Sequence, residues 1–242
     1  MTSSLQFLVE GSIRALDLIL SLDPYLLSVT KLSLKVSGTA ILLSTLIGIP
    51  LAAFLAIRNF RGRRLSLVIV NTSMGLPPVV VGLVILLILI RSGPLGFLGL
   101  LYTPLAMIIA QFVLATPIIV GVAVPAIASA ERAIGDVALS LGGSKWDVAI
   151  LSLKEARPGI ITAILAGFGR AIAEVGAILI VGGNIAFLEL GHEVSYTRTL
   201  TTAITVETRK GDFSTAIALG LILIALAFAV NLVLTLSKEA KR

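Results

Sequence analysis

ERAIGDVALSLGGSKWDVAILSLKEARP, residues 131–158, is a polar island between two long apolar runs, and its reading decides the architecture. Two short amphipathic patterns, 134–141 and 144–153, flank Gly142-Gly143. In them Val137, Leu141, Trp146 and Ile150 alternate with charges, as a surface helix requires. A Gly pair opens backbone conformations closed to other residues, and Ser144 fits the N-cap of the second helix. The segment is therefore expected to form a helix, a sharp bend and a second helix. A chain that merely turns round outside a membrane has no need of so ordered a loop, and this shape suits docking into a partner.

Outward from the island the chain is built for a bilayer. Hydrophobic residues make up 57% of its 242 residues, charged residues only 13%, and the mean hydropathy is +1.07, far from the values of a soluble domain. Several runs approach the ~20 residues that cross hydrocarbon. They predict an all-α, polytopic helical bundle of about five spans, near residues 34–56, 65–90, 104–128, 160–181 and 214–236, in a single transmembrane domain over 24–242. With no cysteine, disulfides, thiol-ligated metals and thiol catalysis are excluded. The net charge of +6 sits largely in short clusters beside apolar spans, where basic residues set orientation in lipid and are not a nucleic-acid footprint.

Residues 1–23 carry Gln6, Glu10, Arg14 and Asp17 among apolar residues and read as an amphipathic helix. They lack the basic leader and small-residue cleavage pattern of a signal peptide. Two roles stand for this helix: an interfacial anchor, or a polar span or a helix wrapped on a partner subunit. Asp23-Pro24 then opens a new helix. The cluster Arg58, Arg61, Arg63 and Arg64 follows the first span, and the positive-inside rule places it in the cytoplasm. Threading the spans from there puts the 131–157 island, with Arg132, Lys145, Lys154 and Arg157, on the same side as Lys238, Lys241 and Arg242. Fewer basic residues, Arg91, Arg198, Arg209 and Lys210, fall to the outer loops. The lone His192, beside Glu193 in an outer segment, reads as solvated surface and not as a metal ligand.

Two spans are more than anchors. The first contains Asn71-Thr72-Ser73-Met74-Gly75-Leu76-Pro77-Pro78, where the prolines remove donors and break the backbone ladder. Freed carbonyls are tolerated within a bilayer only where protein, hydroxyls or a wet cavity satisfy them. The kink is either structural or also borders a translocation path. The second contains Gly167-Phe168-Gly169-Arg170-Ala171-Ile172-Ala173-Glu174-Val175-Gly176. Arg170 and Glu174, four residues apart, are expected on one helical face where they can neutralise each other. That pair is either glue between helices or a charged element beside an anion's route. Gly182-Gly183-Asn184 ends this helix as a C-cap would, and residues 196–210, YTRTLTTAITVETRK, form a Thr-rich amphipathic stretch too short to span.

The island resembles the EAA loop of ABC-importer permeases, the coupling helix that sits in a cleft of a cytoplasmic ATPase. Asp136-Val137-Ala138 stands where that family usually has Glu-Ala-Ala, and Gly142 keeps its place. The resemblance covers nearly the whole chain from Leu34. The 71–78 run, the 169–176 run with Gly182-Gly183-Asn184, and Thr197-Arg198-Thr199-Leu200-Thr201-Thr202-Ala203-Ile204 are similar to permeases of tungstate importers, kin of molybdate and sulfate permeases. The resemblance implies a type I ABC-importer permease fold in the plasma membrane of a prokaryote. It also implies a homodimer, a cytoplasmic ABC ATPase dimer that holds ATP and Mg²⁺, and an extracytoplasmic oxyanion-binding protein. On it, Asp136, Val137, Ala138, Gly142, Gly143 and Trp146 would form the coupling loop. Asn71, Thr72, Ser73, Pro77, Pro78, Arg170, Glu174 and Asn184 are candidates for the path or its gate.

The chain's own residues agree with a passive subunit. No Gly-rich loop ending in Gly-Lys-Ser/Thr is present to cradle nucleotide phosphates, so no cofactor is expected on this chain. An intramembrane enzyme would need a nucleophile with a base, or paired carboxylates, and only Glu174 lies deep in an apolar run. The rival is a gradient-driven secondary transporter or channel for a small anion. Such carriers often show two repeated halves with matching broken helices, and no such repeat is visible.

Overall fold

The computed structural model describes residues 2–189 and 191–239. Its helices are α1 (Thr2–Leu20), α2 (Pro24–Ile57), α3 (Arg63–Met74), α4 (Pro78–Leu89), α5 (Pro104–Ser140), α6 (Lys145–Glu155), α7 (Arg157–Ile172), α8 (Gly176–Gly182), α9 (Leu200–Lys210) and α10 (Phe213–Glu239). Between α8 and α9 lies a two-stranded antiparallel hairpin, β1 (Ala186–Glu189) and β2 (His192–Ser195).

Local chemistry sets several helix starts. Proline opens α2, α4 and α5, positions where its missing N–H costs nothing and its fixed φ suits a helix. At α2 the Asp23 Oδ1 accepts from the amides of Tyr25 and Leu26, at 2.9 and 3.1 Å, a side-chain N-cap. The far end of α2 is closed by Arg63, whose Nε donates to the Leu55 carbonyl at 2.7 Å.

The chain divides into two compact units. The first takes the described residues of Met1–Thr39, Pro78–Gln111 and Ile172–Ala229. Its core joins Ala15 of α1, Leu26 and Val29 of α2, Leu200 and Ala203 of α9, and Ala218 and Leu219 of α10. Within the same unit α4 and α8 pack backbone to backbone, for a Cβ on Gly82 would lie 2.8 Å from the Ala177 Cα. The second unit takes the described residues of Ala40–Pro77, Phe112–Ala171 and Val230–Arg242. Here the Thr116 hydroxyl donates to the Phe112 carbonyl at 2.7 Å and lies 3.1 Å from Ser44 Oγ, a polar tie between α2 and α5 of the kind that joins helices in lipid. Gly48 and Gly167 lie against Ile119, and Gly121 against Met74.

Among the described residues, α2, α5 and the Phe213–Val233 part of α10 are long and apolar enough to cross a membrane, and five spans result if each bent pair, α3 with α4 and α7 with α8, counts as one. The structure differs from the sequence reading in three places. Residues 134–141 are not a separate short helix, because α5 runs unbroken from the apolar run to Ser140, through Pro117 and Pro125. The 160–181 span is broken at residues 173–175. The hairpin adds strands to a chain read as wholly helical. Lys241 and Arg242, assigned above to the inner side, lie outside the described residues.

Candidate functional site

The bend in the polar island is held by short-range bonds. Gly142 takes φ +83, its amide donates to the Leu139 carbonyl at 3.0 Å, and the Gly143 amide reaches the Ala138 carbonyl at 2.9 Å. These are the two bonds of a Schellman stop. A Cβ at Gly143 would lie 2.6 Å from the Ala138 carbonyl oxygen, so glycine is required by close approach at 143 and by dihedral at 142. The next helix starts on a capping box. The Ser144 amide and hydroxyl both donate to Asp147 Oδ2, at 2.7 and 2.6 Å, and the Asp147 amide donates back to Ser144 Oγ at 3.3 Å. The hydroxyl first and the amide second hold the Asp147 carboxyl below the usual range.

Around this rigid bend the apolar side chains face outward. Val137, Leu141, Trp146 and Ile150 are 58, 84, 79 and 48% exposed, while Ala138 and Val148 pack inward. Asp136 stands exposed beside Val137. The six residues expected to form the loop, Asp136, Val137, Ala138, Gly142, Gly143 and Trp146, thus lie on the two arms and the apex of one element.

The candidate path residues fall at two helix breaks. After Met74 the amides of Gly75 and Leu76 donate to the carbonyls of Thr72 and Ser73, at 3.1 and 3.3 Å, and Pro78 begins α4. Asn71, Thr72 and Pro77 are exposed, and Ser73 and Pro78 half-buried. At the second break α7 stops at Ile172, two residues short of Glu174. Arg170 therefore lies in the last turn of α7 and Glu174 in the break after it, so the two are not carried by one continuous helix as the spacing had suggested. Glu174 is only 5% exposed, and its Oε1 accepts from the Ala177 amide at 3.0 Å, capping α8. The α8 helix ends on Gly183 at φ +70. Asn184 follows at φ +53, with its Oδ1 buried and without a hydrogen-bond partner.

A cluster of charged and hydroxyl groups escaped the sequence reading. The Tyr25 hydroxyl donates to Glu207 Oε1 at 2.8 Å and accepts from Arg198 Nη1 at 3.0 Å. Arg198 also reaches Glu193 at 2.9 Å, and Lys210 reaches Glu207 at 3.1 Å and Glu193 at 3.4 Å. Two basic and two acidic groups, on β2, on α9 and in the loop before it, neutralise one another beside the Tyr25 hydroxyl at the start of α2. Only the Glu207 to Lys210 spacing was legible; Glu193 and Arg198 meet across a turn five residues long, and Tyr25 comes from a distant segment.

Broken and unbroken apolar helices, five spans if each bent pair counts as one, are those of a multi-pass membrane protein. The same fold occurs in the solved bacterial ABC transporter that imports the acidic polysaccharide alginate, with a TM-score of 0.67 at 20% identity over 88% of this chain and 79% of that one. Residues 48–241 match the family of binding-protein-dependent transport system inner membrane components, and the chain belongs to that family. A probable anion ABC transporter permease protein of Haloferax volcanii is 52% identical over 86% of this chain and 88% of its own length. The tungstate uptake system permease of Peptoclostridium acidaminophilum is 40% identical over 95% of this chain and 97% of its own. The chain is thus an inner membrane component of a binding-protein-dependent transport system, similar to permeases named for anion and tungstate uptake, and its fold is that of type I ABC importers.

Proposed function

We propose that this chain is the membrane-spanning subunit of an ATP-driven importer for an oxyanion, tungstate foremost, and that it works by alternating access. Two copies would form the conduit, two copies of a separate ABC ATPase would bind ATP with Mg²⁺, and an extracytoplasmic binding protein would deliver the anion. The 131–157 loop and the C-terminus would face the cytoplasm. The observation that carries this reading is the exposed Val137, Leu141, Trp146 and Ile150 surface on a doubly capped bend. Large apolar side chains held outward on a rigid, otherwise polar loop suit a protein cleft better than water. The names of the relatives favour an anion, and tungstate in particular.

The chain would supply motion and a route, with no chemistry of its own. Closure of the ATPases on ATP would draw the two coupling loops together and turn the spans from inward-open to outward-open. Weak sites suit a route that must also release its cargo, and the hydroxyls and amide of Asn71, Thr72 and Ser73 offer such contacts. The test reconstitutes the chain with its ATPase and binding protein in vesicles. Tungstate-loaded binding protein should stimulate ATP hydrolysis and uptake more than molybdate- or sulfate-loaded protein. Uptake driven by an ion gradient without ATP would overturn the reading.

A further inference from the structure

Helix α9 is too short to span, yet its first turn is fastened to two different segments. At its first turn the Leu200 amide donates to Ser33 Oγ of α2 at 2.8 Å, and Ser33 is 2% exposed. One residue on, the Thr201 hydroxyl donates to the main-chain carbonyl of Glu174 at 2.9 Å. That carbonyl lies in the break between α7 and α8, where the regular helical ladder is interrupted. The Glu174 side chain is already engaged in capping α8 through Ala177, and Ala177 is the residue against which Gly82 of α4 packs. Thr201 is itself 8% exposed, so no water has ready access to replace it.

A chain of contacts thus runs from α2 through α9 to the break, and from the break into the α4–α8 pair. The two bonds of α9 join backbone to short side chains, with little slack, and a buried carbonyl deprived of its donor is costly. We propose that Thr201 is a positioning residue that ties α9 to the break between α7 and α8, so that movement of α9 reaches the α4–α8 pair and sets the opening of the anion's route. This rests on the transport function proposed above. The link is mechanical: Thr201 need not touch the anion.

Thr201→Val keeps the volume and the branch at Cβ but removes the donor, whereas Thr201→Ser keeps the donor. In the complete transporter in vesicles, Thr201→Val should lower the ratio of substrate-stimulated to basal ATP hydrolysis, and uptake with it, by about tenfold, or ~1.4 kcal/mol. Thr201→Ser should stay within about twofold of the wild type. Ser33→Ala, which frees α9 at its other attachment, should reduce the same ratio. Hydrogen exchange of the amides of residues 176–179 should rise in Thr201→Val and not in Thr201→Ser. That readout does not depend on what is carried, so a wild-type complex that imports no oxyanion would count against the proposed cargo and leave exchange to judge the link. The proposal is overturned if Thr201→Val exchanges and transports as wild type. It is equally overturned if basal hydrolysis, uptake and melting temperature fall together in proportion, the pattern of a residue that only holds the fold.

Discussion

Replacing Gly82 with alanine would test whether α4 and α8 meet through their backbones. An ideal Cβ there lies 2.8 Å from the Ala177 Cα, 3.2 Å from its carbonyl oxygen and 3.3 Å from its Cβ, whereas ordinary contact starts at 3.4 Å. The two helices must part by at least about 0.6 Å, and since the nearest atoms are backbone, no change of rotamer relieves them. Overpacking of this kind costs ~1–3 kcal/mol. Alanine returns roughly 0.5–1 kcal/mol of helix preference over glycine, leaving a net loss on the order of 1 kcal/mol. Gly38, in the interior of α2 with nothing within 4 Å of a built Cβ, supplies the control: alanine there carries the helix gain without the clash. Thermal melting of the purified chain in detergent should place Gly82→Ala below the wild type and Gly38→Ala at or above it. Adding Ala177→Gly should not rescue Gly82→Ala, because the closest clash is with the Cα that glycine keeps. Melting of Gly82→Ala level with Gly38→Ala would refute the backbone contact, and rescue by Ala177→Gly would show that the side chain, not the backbone, sets the distance.

At the bend, Gly142→Val should lower coupled ATP hydrolysis while the chain still folds. The space around Gly142 is open but its φ is +83, which costs an L-residue ~1–2 kcal/mol; Gly142→Asn should be milder, and equal activity of both variants would refute the argument. The capping box gives a pH dependence. The folded-state pKa of Asp147 is lowered, so its contribution is fully present above the unfolded value of ~3.9 and fades as pH falls through the lower folded value. Amide protection in the first turn of α6 should follow that course, and Ser144→Ala should move the carboxyl titration upward as read by NMR; an unmoved titration contradicts the assignment. Glu174→Ala should destabilise the chain by ~1 kcal/mol through loss of the α8 cap, whereas Glu174→Gln, which keeps an acceptor oxygen, should melt closer to wild type. Equal melting of the two would mean that the cap contributes nothing.

What could be read from the sequence was local. Asp23 before Pro24, Gly142-Gly143 before Ser144, and Gly183 after α8 each act through partners within a few residues, and each does in the structure what its residue type favours. The break at residues 173–175 has no such mark: Ala-Glu-Val contains neither glycine nor proline, and helical periodicity runs through it. It is supported instead by a carboxylate that caps the next helix and by a hydroxyl 27 residues further on. The unbroken course of α5 was hidden for the opposite reason, because its change from apolar to polar at residue 131 imitated the end of an element. The Tyr25, Arg198 and Glu207 cluster joins segments 173 and 182 residues apart, a distance at which no residue pattern announces a partner. For the path residues, the pattern located the break after Met74 but not the one at residues 173–175, nor the bonds within either.

The unbroken α5 has a geometric corollary. Its 37 residues make a rod of about 55 Å at ~1.5 Å per residue, against roughly 30 Å of hydrocarbon, so its last turns must stand clear of the apolar layer. The surface at Val137 is therefore carried on a shaft whose angular phase is fixed by the number of residues between it and Pro104. Deleting one residue near Ser129 would swing that surface by about 100° and point Val137 elsewhere. Inserting seven residues would restore the heading to within ~20° yet move the surface outward by about 10 Å. Heading and reach can thus be changed separately.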